Sequence, residues 1–428
     1  MSATVAPDVR AAERADAASI SSPVAPNAPA RERLLSLDVF RGMTVASMLL
    51  VNNPGSWGAI YAPLEHAEWH GWTPTDLIFP FFLFIVGITT HLSLSARRSR
   101  GDPDGALARQ VLKRGAIIYL LGLALNGFPY FDPQPGHAWA SITSNFGISP
   151  VTHQPLVETI RLLGVLQRIA IAYVCGALLT LRTTARQQAL LAVGILVGYW
   201  MLMTLVPVPG EGQTGALLLG DPARTLAAYV DRAALGHHIY NGTKLWDPEG
   251  ILSTIPAIGT VLLGVFAGRW IGAPRPLIER VAGLFAAGSL AMVLGSIWGW
   301  AFPINKQLWT SSYVLFTAGM ASVTIATCMW LIDVHGVKRW SAPFIPFGVN
   351  PMIAFVGSGL MARLIYTLWK VQNEEGRYIP VQSWIYRTGY ASWLAEPKTA
   401  SLLFAITFVV FWYAVLSYLN RRRIFFKV

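Results

Sequence analysis

The stretch TDLIFPFFLFIVG, residues 75–87, decides the class of fold, because an almost unbroken run of apolar side chains follows its Asp76. About 20 such residues, at a rise of about 1.5 Å each, form a helix that crosses the hydrocarbon core of a bilayer. The whole chain has the same character, with 54% of its 428 residues hydrophobic and 13% charged. The mean hydropathy is +0.46. This composition predicts an all-α polytopic membrane protein and excludes a soluble α/β enzyme.

Apolar runs recur along the chain and predict about ten transmembrane helices. Their starts are expected near positions 36, 75, 112, 160, 187, 251, 279, 309, 343 and 399. Residues 1–32 are rich in Ala, Pro, Ser and Val without apolar periodicity, which predicts a disordered tail ahead of a transmembrane domain over 33–428. An even number of helices places both termini on one side of the membrane.

Positive charge indicates which side that is, since Lys and Arg are enriched in cytoplasmic loops. The tail and the second connection hold such residues, namely Arg10, Arg14, Arg31, Arg33, Arg97, Arg98, Arg100, Arg109, Lys113 and Arg114. The alternate loops 54–74 and 129–159 contain neither Lys nor Arg. The sequence therefore predicts cytoplasmic termini. The net charge of +11 is explained by topology and does not indicate nucleic-acid binding.

The loop LEHAEWHGW, residues 64–72, holds the densest group of proton-exchanging side chains, including His66 and His70. Imidazole exchanges protons readily near neutral pH, so a general base or nucleophile is the functional interpretation. Two alternatives stay open. The HxxxH spacing suits a zinc site, although no third ligand is evident nearby, and aromatic and His residues also line membrane interfaces without further function.

Two polar residues flank this loop. Asp76 opens the second helix, where it is either part of an N-cap or a carboxylate that orients the His66 ring. Asn52 lies at the end of the first helix before Pro54, where an Asn often only terminates a helix.

Charged and polar groups also lie inside predicted helices. Asp38 and Arg41 are three residues apart on one helix face, which fits an internal ion pair or a contact of Arg41 with an anionic ligand. Gln167 and Arg168 fall within LLGVLQRIAIAYV, and Arg168 must face protein or water because a lipid-facing guanidinium is costly. Cys175 and Cys328 lie in predicted helices and indicate neither a disulfide nor a metal site.

Several segments, taken in order, resemble the transmembrane acyltransferase family typified by heparan-α-glucosaminide N-acetyltransferase. The resemblance runs from about Arg33 to the end of the chain. Its segments are SLDVFRGMTVASMLLVNN, the HA-x-W-x-G core of EHAEWHGW, TPTDLIFPFFLFIVG, GVLQRIAIAY, YVDRAALGHHIYNG, DPEGILSTI, FPINKQLW and GVNPMIAFVG.

This resemblance implies transfer of an acetyl group from cytoplasmic acetyl-CoA to an amino sugar on the other side of the membrane. It assigns the active-site histidine to His66 and the asparagine that positions the acyl group or the ring to Asn52. His70 is a departure, because the family commonly has Asn there. Asn305, Lys306 and Asn350 also match family positions.

The residues also suggest where each substrate binds. A cationic cytoplasmic mouth suits the phosphates of acetyl-CoA, and Arg33, Arg41, Gln167 and Arg168 are its candidates. Carboxylates and aromatic faces suit an amino sugar. Those in or near the opposite loops are Trp69, Trp72, Asp76, Asp231, His238, Trp246, Asp247 and Glu249. The candidates for substrate binding are Trp69, Asp231, His238 and Glu249. Of these, Asp231 and Glu249 are ranked higher because they lie inside family segments.

The short tail and the charge pattern fit a bacterial inner membrane, so a periplasmic amino sugar or other glycan is a more suitable acceptor than heparan sulfate. We expect N-acetylation of a glucosamine-type acceptor, without a metal. The rival class is a secondary transporter of a sugar or small anion, although no repeat of one half in the other is evident. A sensory or assembly protein with the same fold is a third class. The sequence leaves open whether the chain forms a homodimer.

Overall fold

The computed structural model describes residues 34–128 and 160–426, and α-helices form almost all of its regular structure. In chain order these are α1 Leu35–Asn52, α2 Ile78–Arg98, α3 Asp104–Gly127, α4 Val165–Arg182, α5 Ala185–Leu205, α6 Gly215–Leu218, α7 Leu226–Leu235, α8 Ile251–Ile271, α9 Leu277–Trp298, α10 Ser311–Met329, α11 Ile345–Val349, α12 Pro351–Arg363, α13 Val381–Tyr386 and α14 Pro397–Arg421. The strands β1 Lys370–Gln372 and β2 Tyr378–Pro380 form one antiparallel pair.

Nine helices of the described residues are long and apolar enough to cross a membrane, and this confirms the predicted class of fold. They are α1, α2, α4, α5, α8, α9, α10, α12 with its continuation to Leu368, and α14. The remaining long helix, α3, corresponds to the span expected near position 112. Asp104, Arg109, Lys113 and Arg114 lie in its first half, which makes that half too polar for the hydrocarbon core.

Three helix boundaries differ from the expected ones for local reasons. Helix α3 begins at Asp104, before the start expected near position 112. The apolar pattern did not indicate this earlier start, because the first turns of the helix are polar. Helix α4 begins at Val165, after the extended backbone of Gly164. The span expected from position 343 is divided into α11 and α12 at Asn350, before Pro351. Residues 1–32, Arg33 and the loop 129–159 lie outside the described residues.

Small residues allow the closest helix contacts. A Cβ atom on Gly87 of α2 would lie 2.1 Å from the carbonyl oxygen of Val261, and one on Gly264 of α8 would lie 2.1 Å from that of Phe84. Gly268, one turn further along α8, faces the Ile88 carbonyl in the same way. Gly264 and Gly268 are four residues apart, so both contacts lie on one face of α8. Such contacts bring backbones together where lipid offers no hydrophobic driving force.

The helix ends divide into two sets. At the His66 end, α1 ends at Asn52 and α2, α4, α8 and α10 begin. At the Arg41 end, α2 and α4 end together, since Arg98 Nη2 donates to the Leu181 carbonyl at 2.6 Å. The segment 53–77, which contains the histidine loop, crosses the His66 end between α1 and α2.

A buried aromatic pair supports this end of the bundle. Trp309 and Tyr313 are completely buried and lie edge to face with ring centroids 5.3 Å apart. Tyr313 Oη donates to the backbone carbonyl of Asp76 at 2.5 Å. The start of α2, and with it Asp76, is therefore fixed against α10.

Candidate active site

His66 is held by a buried carboxylate ten residues further along the chain. Its Nδ1 lies 2.7 Å from Oδ1 of Asp76, whose side chain is only 1% exposed. The second carboxylate oxygen, Oδ2, accepts from the backbone N–H groups of Ala67 and Thr73 at 3.0 and 3.1 Å. With the ring's Nδ1–H donating to Asp76, Nε2 carries the lone pair. The half-exposed ring is thus oriented as a base or nucleophile.

Asp76 makes both of the contacts suggested by the sequence, because it takes part in an N-cap and also bonds the His66 ring. Thr73 is the N-cap of the turn Pro74–Leu77, and Asp76 is the third residue of that turn, bonded reciprocally to Thr73 in a capping box. One oxygen of Asp76 serves the cap and the other serves His66. The local fold of the loop and the orientation of the ring therefore depend on the same side chain.

Lys306, from the connection between α9 and α10, lies against the same histidine. Its Nζ is 3.0 Å from His66 Nδ1, 3.3 Å from Nε2 and 3.4 Å from Asp76 Oδ1. Because the Asp76 contact with Nδ1 is shorter, we assign the Nδ1 proton to that bond. Burial lowers the pKa of Lys306, while Asp76 and Glu249 oppose this effect. A partly exposed amine with a lowered pKa thus lies next to the imidazole.

Asn305 fixes the position of Lys306. It is completely buried, its Nδ2 donates to the Trp69 carbonyl at 2.9 Å and its Oδ1 accepts from the backbone of Leu308 at 2.8 Å. Gly71 also donates to the Ile304 carbonyl at 2.8 Å. These hydrogen bonds join the histidine loop to the loop that contains Lys306, and they hold Lys306 next to His66.

A second charged group borders the site. Arg161 forms ion pairs with Asp247 and Glu249 and lies over the Tyr240 ring, 4.5 Å from its centroid. Burial alone would lower the pKa of Arg161, but the two carboxylates raise it. Burial alone would raise the pKa of Glu249, but Arg161, Arg168 and Lys306 together hold it below its ordinary value. Arg161 and Glu249 therefore each favour the charged form of the other.

Two cavities meet at His66. The polar pocket has a volume of about 340 Å³ and is lined by His66, Trp69, Asp76, Arg161, Glu249 and Lys306 among others. The apolar cavity, of about 200 Å³, runs along α1 from Asn52 to Thr44 and is lined on its far side by Met352 and Phe355. The two cavities share His66, Val165, Glu249 and Lys306. The imidazole thus lies between a polar and an apolar compartment.

The family model of the catalytic part of heparan-alpha-glucosaminide N-acetyltransferase matches residues 33–298, which are more than half of the chain. The chain belongs to this family. It is 28% identical over 390 residues to heparan-alpha-glucosaminide N-acetyltransferase of Mus musculus and 28% identical over 391 residues to that of Homo sapiens. Each match covers 80% of this chain and 56% or 55% of the relative. The chain therefore spans little more than half the length of these relatives.

The family match includes most of the predicted site residues, and the structure divides them into those that meet at His66 and those that do not. Asn52, the exposed last residue of α1, borders the apolar cavity with His66. Trp69 lines the polar pocket and donates from Nε1 to the Leu219 carbonyl at 2.7 Å. Glu249 borders both cavities. These three residues therefore adjoin the cavities that meet at His66.

Asp231 and His238, predicted as substrate-binding residues, do not line the polar pocket. Asp231 is 1% exposed and accepts from the backbone N–H groups of Ile251 and Asp247, so it caps the start of α8. Burial raises the pKa of Asp231 to about 6. His238 Nδ1 donates to the Ile160 carbonyl at 2.8 Å. Both residues have structural contacts in place of the expected exposure to an acceptor.

The predicted grouping of Gln167 and Arg168 with Arg41 at one mouth is wrong. Gln167 and Arg168 lie in the first turn of α4, at the His66 end, and Arg168 Nη2 donates to Ser253 and, at 3.0 Å, to the Pro248 carbonyl. Arg41 lies near the start of α1, where it pairs with Asp38 at 2.5 Å and donates to the Gly348 carbonyl at 2.6 Å. Since α4 runs opposite to α1, a residue early in α4 lies far from one early in α1. Arg33 is outside the described residues.

Sequence patterns indicated neither Arg161 as part of the site nor the position of Lys306 beside His66. Lys306 follows residue 298, the last that the family model matches, and was recognised only by its motif. Arg161 precedes α4 and carries no local pattern. Within residues 34–128 and 160–426, no three His, Cys, Asp or Glu side chains are arranged to hold a metal ion.

Proposed function

We propose that this chain is a membrane acetyltransferase that moves an acetyl group from acetyl-CoA to an amino sugar, with His66 as the general base. The observation that carries the proposal is the His66 ring, oriented by Asp76 at the junction of the apolar cavity and the polar pocket. Family membership supports the reaction, because the matching relatives are named as N-acetyltransferases that act on heparan α-glucosaminide.

The two compartments suit the two substrates. The apolar cavity follows α1 away from His66, so it suits the pantetheine arm and the thioester of acetyl-CoA. The polar pocket offers the carboxylate of Glu249 and the indole face of Trp69, which suit the amine and the ring of a sugar. The acetyl carbon and the amine would then meet beside the imidazole.

The transfer proceeds through attack of the neutral acceptor amine on the thioester carbon. His66 Nε2 takes the proton that this nitrogen loses as the C–N bond forms, while Asp76 stabilises the resulting imidazolium. The carbonyl oxygen becomes an oxyanion, and its candidate donors are Lys306 Nζ and the Asn52 amide, which line the apolar cavity together with His66. The C–S bond then breaks, and the imidazolium returns the proton to the CoA thiolate.

The charge pattern supports a direction for this reaction. Four helices that begin at the His66 end finish with Arg at the other end: α2 with Arg97 and Arg98, α4 with Arg182, α8 with Arg269 and α14 with Arg421. We therefore propose that the Arg41 end faces the cytoplasm, with both termini, residues 1–32 as a tail and residues 33–428 as the transmembrane domain. The His66 end then faces the periplasm of a bacterial inner membrane, and acetyl-CoA approaches from the cytoplasm.

A label-transfer experiment tests the proposal. Purified protein in liposomes receives acetyl-CoA labelled in the acetyl group and a panel of amino sugars that includes glucosamine. We expect label on a sugar with the wild type and with His70→Asn, a matched control four residues away, and none above background with His66→Ala. Single-turnover samples show in addition whether label passes through the protein, as it would if Nε2 itself carried the acetyl group.

Two outcomes contradict the proposal. Transfer that is unchanged in His66→Ala removes the histidine from the reaction. Absence of both acetyl-CoA binding and transfer in the wild type rejects the acetyltransferase and leaves the transporter as the function to test, by uptake of labelled sugar into the same liposomes.

A further inference from the structure

A third cavity, here called the side cavity, opens beside the reaction centre between α1, α3, α4 and α12. Its volume is about 450 Å³, within the range of small-molecule sites. It shares Asn52, Val165 and Leu166 with the apolar cavity, and Arg161 and Tyr240 with the polar pocket. The side cavity and the polar pocket therefore adjoin at Arg161 and Tyr240.

Arg363 gives this cavity a positive charge. It is the last residue of α12 and lies within the span that continues to Leu368. Its one hydrogen bond among the described residues runs from Nη1 to the Gly359 carbonyl at 3.2 Å, and no carboxylate lines the cavity in this part of the chain. A guanidinium within a membrane span is costly and marks a functional site by default. Arg161, by contrast, is already neutralised by Asp247 and Glu249.

Gln167 adds a second, independent sign of a ligand. Its side chain borders the cavity and is 1% exposed, and its Nε2 has no acceptor among the described residues. A buried donor without a partner is destabilising, so we expect a water, an ion or a ligand to accept from it. The side chain fits only because two neighbours lack a Cβ atom. One built on Gly122 would lie 2.6 Å from Gln167 Oε1, and one on Gly164 would lie 3.0 Å from it.

We propose that the side cavity binds an oxyanion carried by the acceptor sugar, such as a carboxylate, a sulfate or a phosphate ester, through Arg363 and Gln167. This inference rests on the proposed function and specifies its acceptor as an acidic amino sugar. The acceptor is the source of the oxyanion because of where the cavity meets α1. It is lined by Met48, Leu49 and Asn52 in the last turns of α1 and by Asn53 directly after them, whereas in the proposed orientation the CoA phosphates approach from the Arg41 end.

Equilibrium binding tests the inference without requiring transfer. Detergent-purified protein is titrated with glucosamine, and with glucosamine 6-phosphate, glucosamine 6-sulfate and muramic acid as acidic probes. We expect the wild type to bind at least one acidic probe about ten- to a hundredfold more tightly than glucosamine, the range for hydrogen bonds to a charged group. Arg363→Gln abolishes this preference, and Arg363→Lys retains part of it. Arg377→Gln, at an exposed surface arginine, leaves it unchanged.

Each outcome decides the inference. Equal binding of glucosamine and all three acidic probes by the wild type overturns it, as does a preference that survives in Arg363→Gln. A parallel loss of glucosamine binding in Arg363→Gln, with the thermal transition also lowered, assigns Arg363 a structural role and likewise overturns it. Binding that follows the expected pattern while no acetyl group is transferred contradicts the proposed reaction but retains the anion site, so the two failures are distinguishable.

Discussion

Asp76 has two functions at the level of a single residue, since one carboxylate oxygen bonds His66 and the other accepts from the loop backbone. The Asp76→Asn variant keeps the size of the side chain, and its amide oxygen can accept one of these backbone bonds. It favours the imidazole tautomer with the proton on Nε2, which cannot act as a base. We expect the rate of acetyl transfer to fall by about 10²- to 10⁴-fold, the usual contribution of general base catalysis.

The measurement is the initial rate of transfer by proteoliposomes at saturating acetyl-CoA, with Asp104→Asn as the control. Asp104 is an exposed carboxylate that pairs with Arg98 at the other end of the bundle. A rate in Asp76→Asn within about threefold of the wild type would show that the carboxylate does not orient a catalytic histidine.

Asp231 predicts a pH dependence of stability. Burial raises its pKa to about 6, above its ordinary value of 3.8, so the folded protein binds more protons than the unfolded chain between these values. The free energy of unfolding therefore decreases as the pH rises through this interval. The decrease from this one group is at most about 3 kcal/mol, from 1.36 kcal/mol per pKa unit.

The Asp231→Asn variant keeps a hydrogen-bond acceptor at the start of α8 but does not titrate. We expect its thermal transition in detergent to change less between pH 4 and pH 7 than that of the wild type. The control is Glu374→Gln, at an exposed position. Parallel curves for the wild type and Asp231→Asn would contradict the assignment.

At the scale of the element, α2 and α8 are held at backbone contact distance by Gly87 and Gly264. In the Gly87→Ala variant the new methyl group would lie 2.1 Å from the Val261 carbonyl, so the helices must separate. We expect a loss of about 1–3 kcal/mol of stability, as in other overpacked interfaces. Transfer activity should fall as well, because Asp76 lies in the turn directly before α2.

The matched control is Gly194→Ala in α5, where nothing lies within 4 Å of the new Cβ atom. Thermal unfolding in detergent, followed by fluorescence, measures both variants. A transition in Gly87→Ala no lower than in Gly194→Ala would show that the contact is not required for stability.

At the scale of the whole molecule, the proposed orientation places the two helix ends in different compartments. Cys175 and Cys328 are the chain's two cysteines, so their replacement by Ala gives a background for single-cysteine labelling. In intact cells we expect an impermeant maleimide to label Trp57→Cys, in the exposed histidine-loop segment, and to label Ser99→Cys only after the membrane is permeabilised. The reverse pattern would place His66 in the cytoplasm.

Sequence patterns predicted the features that depend on neighbouring residues. Apolar runs predicted the helices, because the length and periodicity of such a run are local properties of the sequence. His66 and Asp76 were singled out together because they lie ten residues apart at one membrane boundary. The capping box of Thr73 and Asp76 also has a recognisable local spacing.

The sequence by itself thus determined the class of fold, the family resemblance and the histidine with its carboxylate. Only the tertiary structure placed Lys306, 240 residues from His66, within 3.0 Å of the imidazole. It also shows that Gln167 and Arg168 lie at the His66 end, that Asp231 is buried at the start of α8 and that the side cavity lies next to Arg363. These features depend on how antiparallel helices pack. A residue's depth in the membrane and its neighbours on other helices follow from the assembled bundle and from no local pattern.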